Sequence, residues 1–444
     1  MRTAIIGAGI SGLTTAFYLE KARSDREIHM FDVEPMPGGT MRTDTLNGFH
    51  FEAGGNGFLT NKPDSMQLVK DSGAEDLLLP SSDAARKRYI YTDQLHRLPE
   101  APLPFLATRL IGTGAKLRLA GEFFVRKRRE QGEETLQAFG YRRVGKEFTD
   151  VFLDAMTAGI YATTPDRVSV NAAFPLVVRL EQEHGGLFKG MIARRKKQAG
   201  PGGILMSFKG GVGSFIAHLQ RAIQAEWHFG APVTEVTRED GGYRLRAGDY
   251  EGVFDQVVIS TQAHAAAAML QGMDAALAKR LADIEYSPVA VVGLGWKQLD
   301  HPLDGFGLLT TTSAKLPVLG VLWDSSIFPD RAPEGSKSVR VMIGGQRDPQ
   351  LVQQDEAGLI RTARDGVRIT MGVEKEPDVT FVQRWDNGIP SYRVGHIAAV
   401  DAIFDHLGQY PGLHLGGNAY RGIAMNDCVR NGRELAEKLA QSSA

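Results

Sequence analysis

Close to its N-terminus the chain has a short apolar run, Thr3-Ala4-Ile5-Ile6. It breaks into Gly7-Ala8-Gly9-Ile10-Ser11-Gly12 and then into helical spacing at Leu13, Ala16, Phe17 and Leu19. A second apolar run, Ile28-His29-Met30-Phe31, ends in Asp32, twenty residues past Gly12. Strand, G-x-G-x-x-G turn, helix, strand and terminal acid in this order point to a doubly wound α/β fold of the Rossmann type, with a dinucleotide at its glycine turn. Gly7 permits the tight turn, Gly9 removes a Cβ that would hold the backbone off a pyrophosphate, and Gly12 lets the helix close on the strand. The helix N-terminus offers N–H groups to the phosphates, and Asp32 is placed to accept from ribose hydroxyls.

The next residues narrow the cofactor. In Glu34-Pro35-Met36-Pro37-Gly38-Gly39-Thr40-Met41-Arg42, the Gly38-Gly39 pair lets the backbone cross near the pyrophosphate, and Arg42 can neutralise it. This G-G-x-x-R run resembles the extension found in the FAD-dependent amine oxidase and desaturase superfamily. Phe51-Glu52-Ala53-Gly54-Gly55-Asn56 resembles that superfamily's turn beside the flavin. Far downstream, the resemblance places Val233, in an expected strand 231–236, on the adenine side. It adds Thr261, at the end of an expected strand 254–261, and Trp385. It also adds Gly417, Asn418, Asp427, Cys428 and Val429, ahead of a helix expected from about Asn431 to Leu439. The second glycine turn before a helix is another anion-friendly site. FAD is the cofactor this implies. Gly293-Leu294-Gly295 lacks a third glycine and a following helix, so no separate nicotinamide domain is expected, which favours oxygen or another diffusible acceptor.

Composition agrees with an ordinary soluble enzyme. The chain has 444 residues, 43% hydrophobic and 23% charged, enough for two to four domains. Its 51 glycines show no Gly-X-Y period, so they serve turns and close approaches. A net charge of -1 argues against nucleic acid as a partner. The single cysteine, Cys428, excludes an internal disulfide and Cys-rich metal sites. His29, His50, His184, His264 and His396 show no ligand-like spacing, so no metal is expected. No apolar run reaches 18 residues, and the N-terminus leaves no room for a signal peptide, so a cytoplasmic protein is expected.

The stretches outside the flavin segments resemble the protoporphyrinogen/coproporphyrinogen III oxidase family. Lys87-Arg88-Tyr89-Ile90-Tyr91, Gly159-Ile160-Tyr161-Ala162 and Leu180–Gly185 before the basic run Arg194-Arg195-Lys196-Lys197 carry the likeness. So do Phe328–Gly335, Arg384-Trp385 and Gly417-Asn418-x-Tyr420-x-Gly422. It departs from the family pattern at Gln262, Gly416 and Asn426, all in flavin-side turns. The resemblance implies three parts: an FAD domain from 1–61, 201–282 and 401–444; a mixed-sheet substrate domain from 62–100 and 283–400; and a helical domain from 101–200. It implies oxygen-dependent oxidation of a porphyrinogen in haem biosynthesis, with Arg88 on a propionate, Gly159 at a close approach in the pocket, and no catalytic side chain beyond the flavin. Trp385 and Tyr392 also read as core packing. Segment 101–129 interleaves Leu103, Leu106, Leu117 and Phe123-Phe124 with Arg109, Lys116, Arg118 and Arg126–Arg129. It reads either as a packed insert with a solvated basic end or as a peripheral membrane contact. Two other readings stay open: an amine oxidase or desaturase-like enzyme for another flat apolar substrate, and an FAD-bound scaffold.

Overall fold

A computed structural model describes residues 1–130, 132–197 and 203–441. One sheet has five parallel strands: β1 (Arg2–Ile6), β2 (Glu27–Asp32), β3 (Glu226–Phe229), β4 (Gln256–Ile259) and β5 (Leu413–Leu415). Their spatial order is β3-β2-β1-β4-β5. In a doubly wound sheet the order reverses beside the first strand, and ligands bind at the carboxyl ends there. Both faces are covered, which explains the unbroken apolar runs of β1 and β4. Ile5, Met30 and Val258 pack under helix α1 (Ile10–Ala22) and the C-terminal helix Met425–Gln441. Ala4, Ile6, Phe31, Val257 and Ile259 pack on the opposite face against the antiparallel strands Val233–Glu239, Gly242–Ala247 and Tyr250–Phe254.

A second sheet has seven strands. In spatial order they are Val379–Pro390, Tyr286–Trp296, Lys337–Gly344, Val318–Leu322, Gly307–Thr310, Arg88–Tyr91 and Leu95–Arg97. Only Gly307–Thr310 and Arg88–Tyr91 run parallel; the other pairs are antiparallel. Val292, Leu294, Val339 and Val341 share a core with Leu359, Ala363 and Val367 of the amphipathic helix Glu356–Met371. The other face meets helix α2 (Asp154–Tyr161), where Ala158 and Ala162 pack on Val289, Val291 and Leu319. Short helices between Pro102 and Lys197 surround α2, which follows directly on a π-helical turn at Thr149–Leu153.

Several expectations need correction. Leu68 and Val69, on the helix Asp64–Asp71, lie in the core under the parallel sheet, so the residues just past 61 pack with the flavin-side part. Phe254 ends the preceding strand, and β4 starts only at Gln256. The strand expected over 231–236 begins at Val233 and runs to Glu239. The C-terminal helix starts at Met425, six residues early, so Asp427, Cys428 and Val429 are helical. Segment 101–129 holds two short helices, Pro102–Ala107 and Thr113–Ala120, and a 3-10 turn, Gly121–Phe124. The side chains of Arg195, Lys196 and Lys197 in the basic run lie outside the described residues.

Candidate active site

At the carboxyl ends of β1 and β4 the glycine turn is closed by backbone. Gly7 has φ +100°, and a Cβ there would meet the Ser260 carbonyl carbon at 2.9 Å and the Thr261 nitrogen at 3.0 Å. A Cβ on Gly12 would lie 2.0 Å from the Gly7 oxygen, so α1 can seat on its strand only with glycine at that position. Gly9 is different: a Cβ would meet nothing within 4 Å. That open direction lies at the N-terminus of α1, which no side chain caps, and it suits an anion that needs backbone approach. Gly38 pairs with Gly9 in a parallel bridge and donates its N–H to the Ala8 oxygen at 2.9 Å, bringing the Gly38-Gly39 pair against the turn.

Asp32 accepts from Ala8 N at 2.7 Å and Glu34 N at 2.9 Å. It thus braces the turn and keeps lone pairs for a further donor; burial raises its carboxyl pKa above the usual value. Arg42 pairs with Asp44 at 3.0 Å and with Gln383, so its charge is already balanced within the protein.

The E-x-G turn is tied to the second sheet. Arg340 donates to the carbonyls of Glu52 at 2.8 Å and Gly54 at 2.6 Å, while Arg331 pairs with the Glu52 carboxylate at 2.9 Å. These three side chains, and Asp324 beside Arg340, are almost fully buried, and burial pushes the Glu52 carboxyl up. A Cβ on Gly54 would meet the Thr40 oxygen at 2.4 Å, whereas Gly55 faces open space. Asn56 Oδ1 is buried with no hydrogen-bond partner among the described residues, and a polar atom of this kind calls for a donor.

The C-terminal turn closes the same region. A Cβ on Gly417 would lie 3.5 Å from both the Ser260 and Thr261 oxygens. Tyr392 Oη donates to the Asn418 carbonyl at 2.7 Å and accepts from Gly422 N at 2.8 Å. Asp427 pairs with Lys62 at 2.7 Å and Arg430 at 3.2 Å. Burial pushes the Cys428 thiol up to about 11. Val429 belongs to the core under α1.

The three departures each have a partner. Asn426 accepts from Ser65 N at 3.0 Å and donates to the Leu59 oxygen at 2.9 Å. Gln262 donates to the Asn387 oxygen. A Cβ at Gly416 would crowd Ser260 Oγ to 2.6 Å.

From the E-x-G turn the site continues along the second sheet. Trp385 Nε1 donates to the Ala53 oxygen at 2.8 Å, and its ring joins the cluster of Ala158, Ala162, Val289 and Val291. Within α2, Ala155, Thr157, Ala158 and Tyr161 are buried while Gly159 and Ile160 are exposed. A Cβ on Gly159 would meet Leu309 Cδ2 at 2.8 Å. Leu309 pairs with Ile90 across parallel strands and Gly307 with Arg88. Alternation along a strand therefore puts Arg88, Ile90 and Leu309 on the face that meets α2. Arg88 is exposed, its guanidinium 5.2 Å from the centre of the Phe306 ring.

Sequence reasoning missed what holds α2 there. Asp154 accepts from Thr312 N at 2.6 Å and from Arg347 at 3.0 Å, and Arg347 also donates to the Thr310 oxygen at 2.8 Å. With 193 residues between the partners, no local pattern marks the pair. The result is an apolar sheet face, between Leu309 and Trp385, that carries the exposed Arg88 and leads to the E-x-G turn.

Comparison with known proteins bears on this arrangement. Residues 10–440 match the family described as flavin containing amine oxidoreductase. The coproporphyrinogen III oxidase of Bacillus subtilis (strain 168) is 28% identical over 97% of this chain and 96% of its own length. The chloroplastic protoporphyrinogen oxidase 1 of Arabidopsis thaliana is 29% identical over 97% of this chain and 86% of its own. A provisionally named protoporphyrinogen oxidase from Exiguobacterium sp. 255-15 shares the fold. Its TM-score is 0.87 at 24% identity, covering 99% of this chain and 98% of that one.

Proposed function

The chain belongs to the flavin-containing amine oxidoreductases, and from that premise we propose that it oxidises a porphyrinogen, protoporphyrinogen IX or coproporphyrinogen III, to the porphyrin in haem biosynthesis. FAD, when bound, supplies a two-electron hydride acceptor that oxygen regenerates with release of peroxide. Six electrons and six hydrogens leave each porphyrinogen, so about three such cycles complete one porphyrin.

The chain's own residues bind and orient. Gly7, Gly9, Gly12 and the N-terminus of α1 receive the pyrophosphate, with Gly38, Gly39 and Arg42 alongside and Asp32 at the ribose. Val233 serves the adenine side. Gly54, Gly55, Asn56 and Thr261 frame the other end of the cofactor with Trp385. Gly417 and Asn418, with Asp427, Cys428 and Val429 behind them, close it. Arg88 forks onto a propionate, and Gly159 serves as the close-approach glycine at the pocket, where α2 seats on Leu309. No side-chain acid or base is required by this reading.

One observation carries the proposal. Arg88 and the exposed Gly159-Ile160 pair share the sheet face on which Trp385 reaches back to Ala53. An apolar, carboxylate-bearing substrate fits a face of that kind. Among the described residues no helix is long and apolar enough to cross a membrane. Leu103, Leu106, Leu117 and Phe124 are nevertheless exposed beside basic residues, which supports peripheral contact as a route for such a substrate. Aerobic turnover with either porphyrinogen should release about three peroxides per porphyrin; strict dependence on NAD(P)+ without peroxide would refute the oxidase class.

A further inference from the structure

On the outer strands of the parallel sheet, His29 of β2 lies opposite Glu226 of β3, and Phe31 lies opposite His228. Residues two apart on a strand share a face, so Glu226 and His228 stand together and His29 completes the group from the neighbouring strand. His29 Nδ1 is 3.2 Å from His228 Nε2. The Glu226 carboxylate lies across both rings, Oε2 3.5 Å from His29 Nδ1 and Oε1 3.3 Å from His228 Nε2. An ion held at ~2.0–2.2 Å by nitrogen and oxygen can bridge donors up to about 4 Å apart, and every one of these separations is shorter.

The surroundings orient the donors. His29 Nε2 lies 2.7 Å from Glu27 Oε1 and 3.3 Å from Arg2 Nη2; in the tautomer that donates from Nε2 to Glu27, Nδ1 keeps its lone pair toward the group. A carboxylate behind a ligating imidazole is the usual means of setting its tautomer and direction. Arg2 steadies that carboxylate at 3.2 Å. His228 stacks on Phe31 at 4.3 Å, and Phe254 stands edge-on to His29 at 5.0 Å, so aromatic rings wall the site. His29 is buried, while Glu226 is more than half exposed and leaves a path from solvent.

We propose that His29, His228 and Glu226 form a binding site for a divalent transition ion of zinc-like preference, linking the edge strand β3 to β2. Two imidazoles and a carboxylate match Zn2+ and leave a coordination position for water; the hard ions Ca2+ and Mg2+ would need more oxygen donors. The rival arrangement needs no ion. The two imidazole planes are nearly parallel, at 6°, with centres 5.5 Å apart, and Nδ1 of one and Nε2 of the other lie close enough to share a proton.

Untagged holoenzyme stripped with a chelator and titrated with ZnCl2 should take up one ion per chain with a rise in melting temperature. CoCl2 should give the visible absorption of a low-symmetry Co2+ site. His228→Ala and Glu226→Gln should each weaken binding by at least about tenfold, and Glu27→Gln by about tenfold through the outer shell. Flavin content and metal-free melting temperature report whether each variant folds, and the exposed Glu226→Gln is the mildest of them. Absence of a Zn2+-dependent shift in the parent, or an equal shift in well-folded Glu226→Gln and His228→Ala, would overturn the site.

Discussion

The two ends of the proposed site, the dinucleotide end at the glycine turns and the substrate end at α2, are held by different physics. At the dinucleotide end, Gly7, Gly9 and Gly12 fall within one turn, and the contacts that close it are backbone on backbone. At the substrate end, Arg88, Gly159 and Leu309 come from three distant segments, and α2 is tied to the sheet by the buried pair of Asp154 and Arg347. A backbone-built turn depends on missing side chains; a side-chain-built face depends on particular ones. The first should fail by losing its ligand, the second by losing geometry.

Gly9→Val should separate them most sharply. Its Cβ points into open space, so the protein should fold with its melting temperature nearly intact for the flavin-free form, yet purify colourless. Gly12→Val, driven 2.0 Å from the Gly7 oxygen, should instead lose the fold. A yellow Gly9→Val protein with full flavin content would break the assignment of the turn.

Asp154→Asn attacks the other end. It strands a buried guanidinium, whose pKa burial already lowers, and should cost about 3–5 kcal/mol in urea unfolding. Flavin content in the surviving folded fraction should stay at parent level while KM for the porphyrinogen rises. Adding Arg347→Met should return part of the stability. If flavin is lost in step with stability, the two ends are one cooperative unit and the contrast fails.

Arg88→Ala should leave both stability and flavin alone. A charge-assisted bond contributes roughly 1.5–3 kcal/mol, so KM should rise about ten- to 150-fold. Arg88→Lys should recover only part, since an ammonium cannot make the planar fork. With the propionate methyl ester the penalty should vanish; an equal penalty on both substrates would end the propionate role.

The smallest effect is a pH dependence behind the C-terminal turn. The Cys428 thiol is held neutral up to about pH 11 in the fold, against 9.0 for a free thiol. The unfolded chain therefore loses its proton first, and this contribution, whole below pH 9, is lost as pH rises from 9 to 11. The stability of the parent should fall about 1–2 kcal/mol more steeply over that window than that of Cys428→Ala. Parallel curves would show that the thiol is not shielded as described.

The same contrast explains what could be read in advance. β1, α1 and β2 were legible to within a residue or two because period, turn glycines and terminal acid are adjacent in sequence. The start of the C-terminal helix was not. Asn426 sits in its first turn because its side chain clamps Ser65 and Leu59, partners that only the fold brings near. Asp32 was expected to serve the ribose, and its bracing of Ala8 N could not be seen without the turn's geometry. Arg42 was expected to neutralise the pyrophosphate; its ion-pair partner Asp44 lies two residues on in the sequence, but its bond to Gln383, 341 residues away, has no local signal. Arg88 and Gly159 were singled out through family likeness, and the parallel pairing of Arg88–Tyr91 with Gly307–Thr310 that puts Arg88 on the face meeting α2 has no local signal. His29 read as structural because His228, its neighbour in space, is 199 residues away.

The central claim, that a porphyrinogen on that face reduces the flavin at the turns, is tested most directly by anaerobic mixing. Purified holoprotein is combined with protoporphyrinogen IX or coproporphyrinogen III and the visible flavin absorbance is followed. The account predicts rapid bleaching by at least one of them, slowed in Arg88→Ala at subsaturating substrate, and return of the yellow colour on admitting oxygen. Flavin that stays oxidised with both porphyrinogens would contradict it.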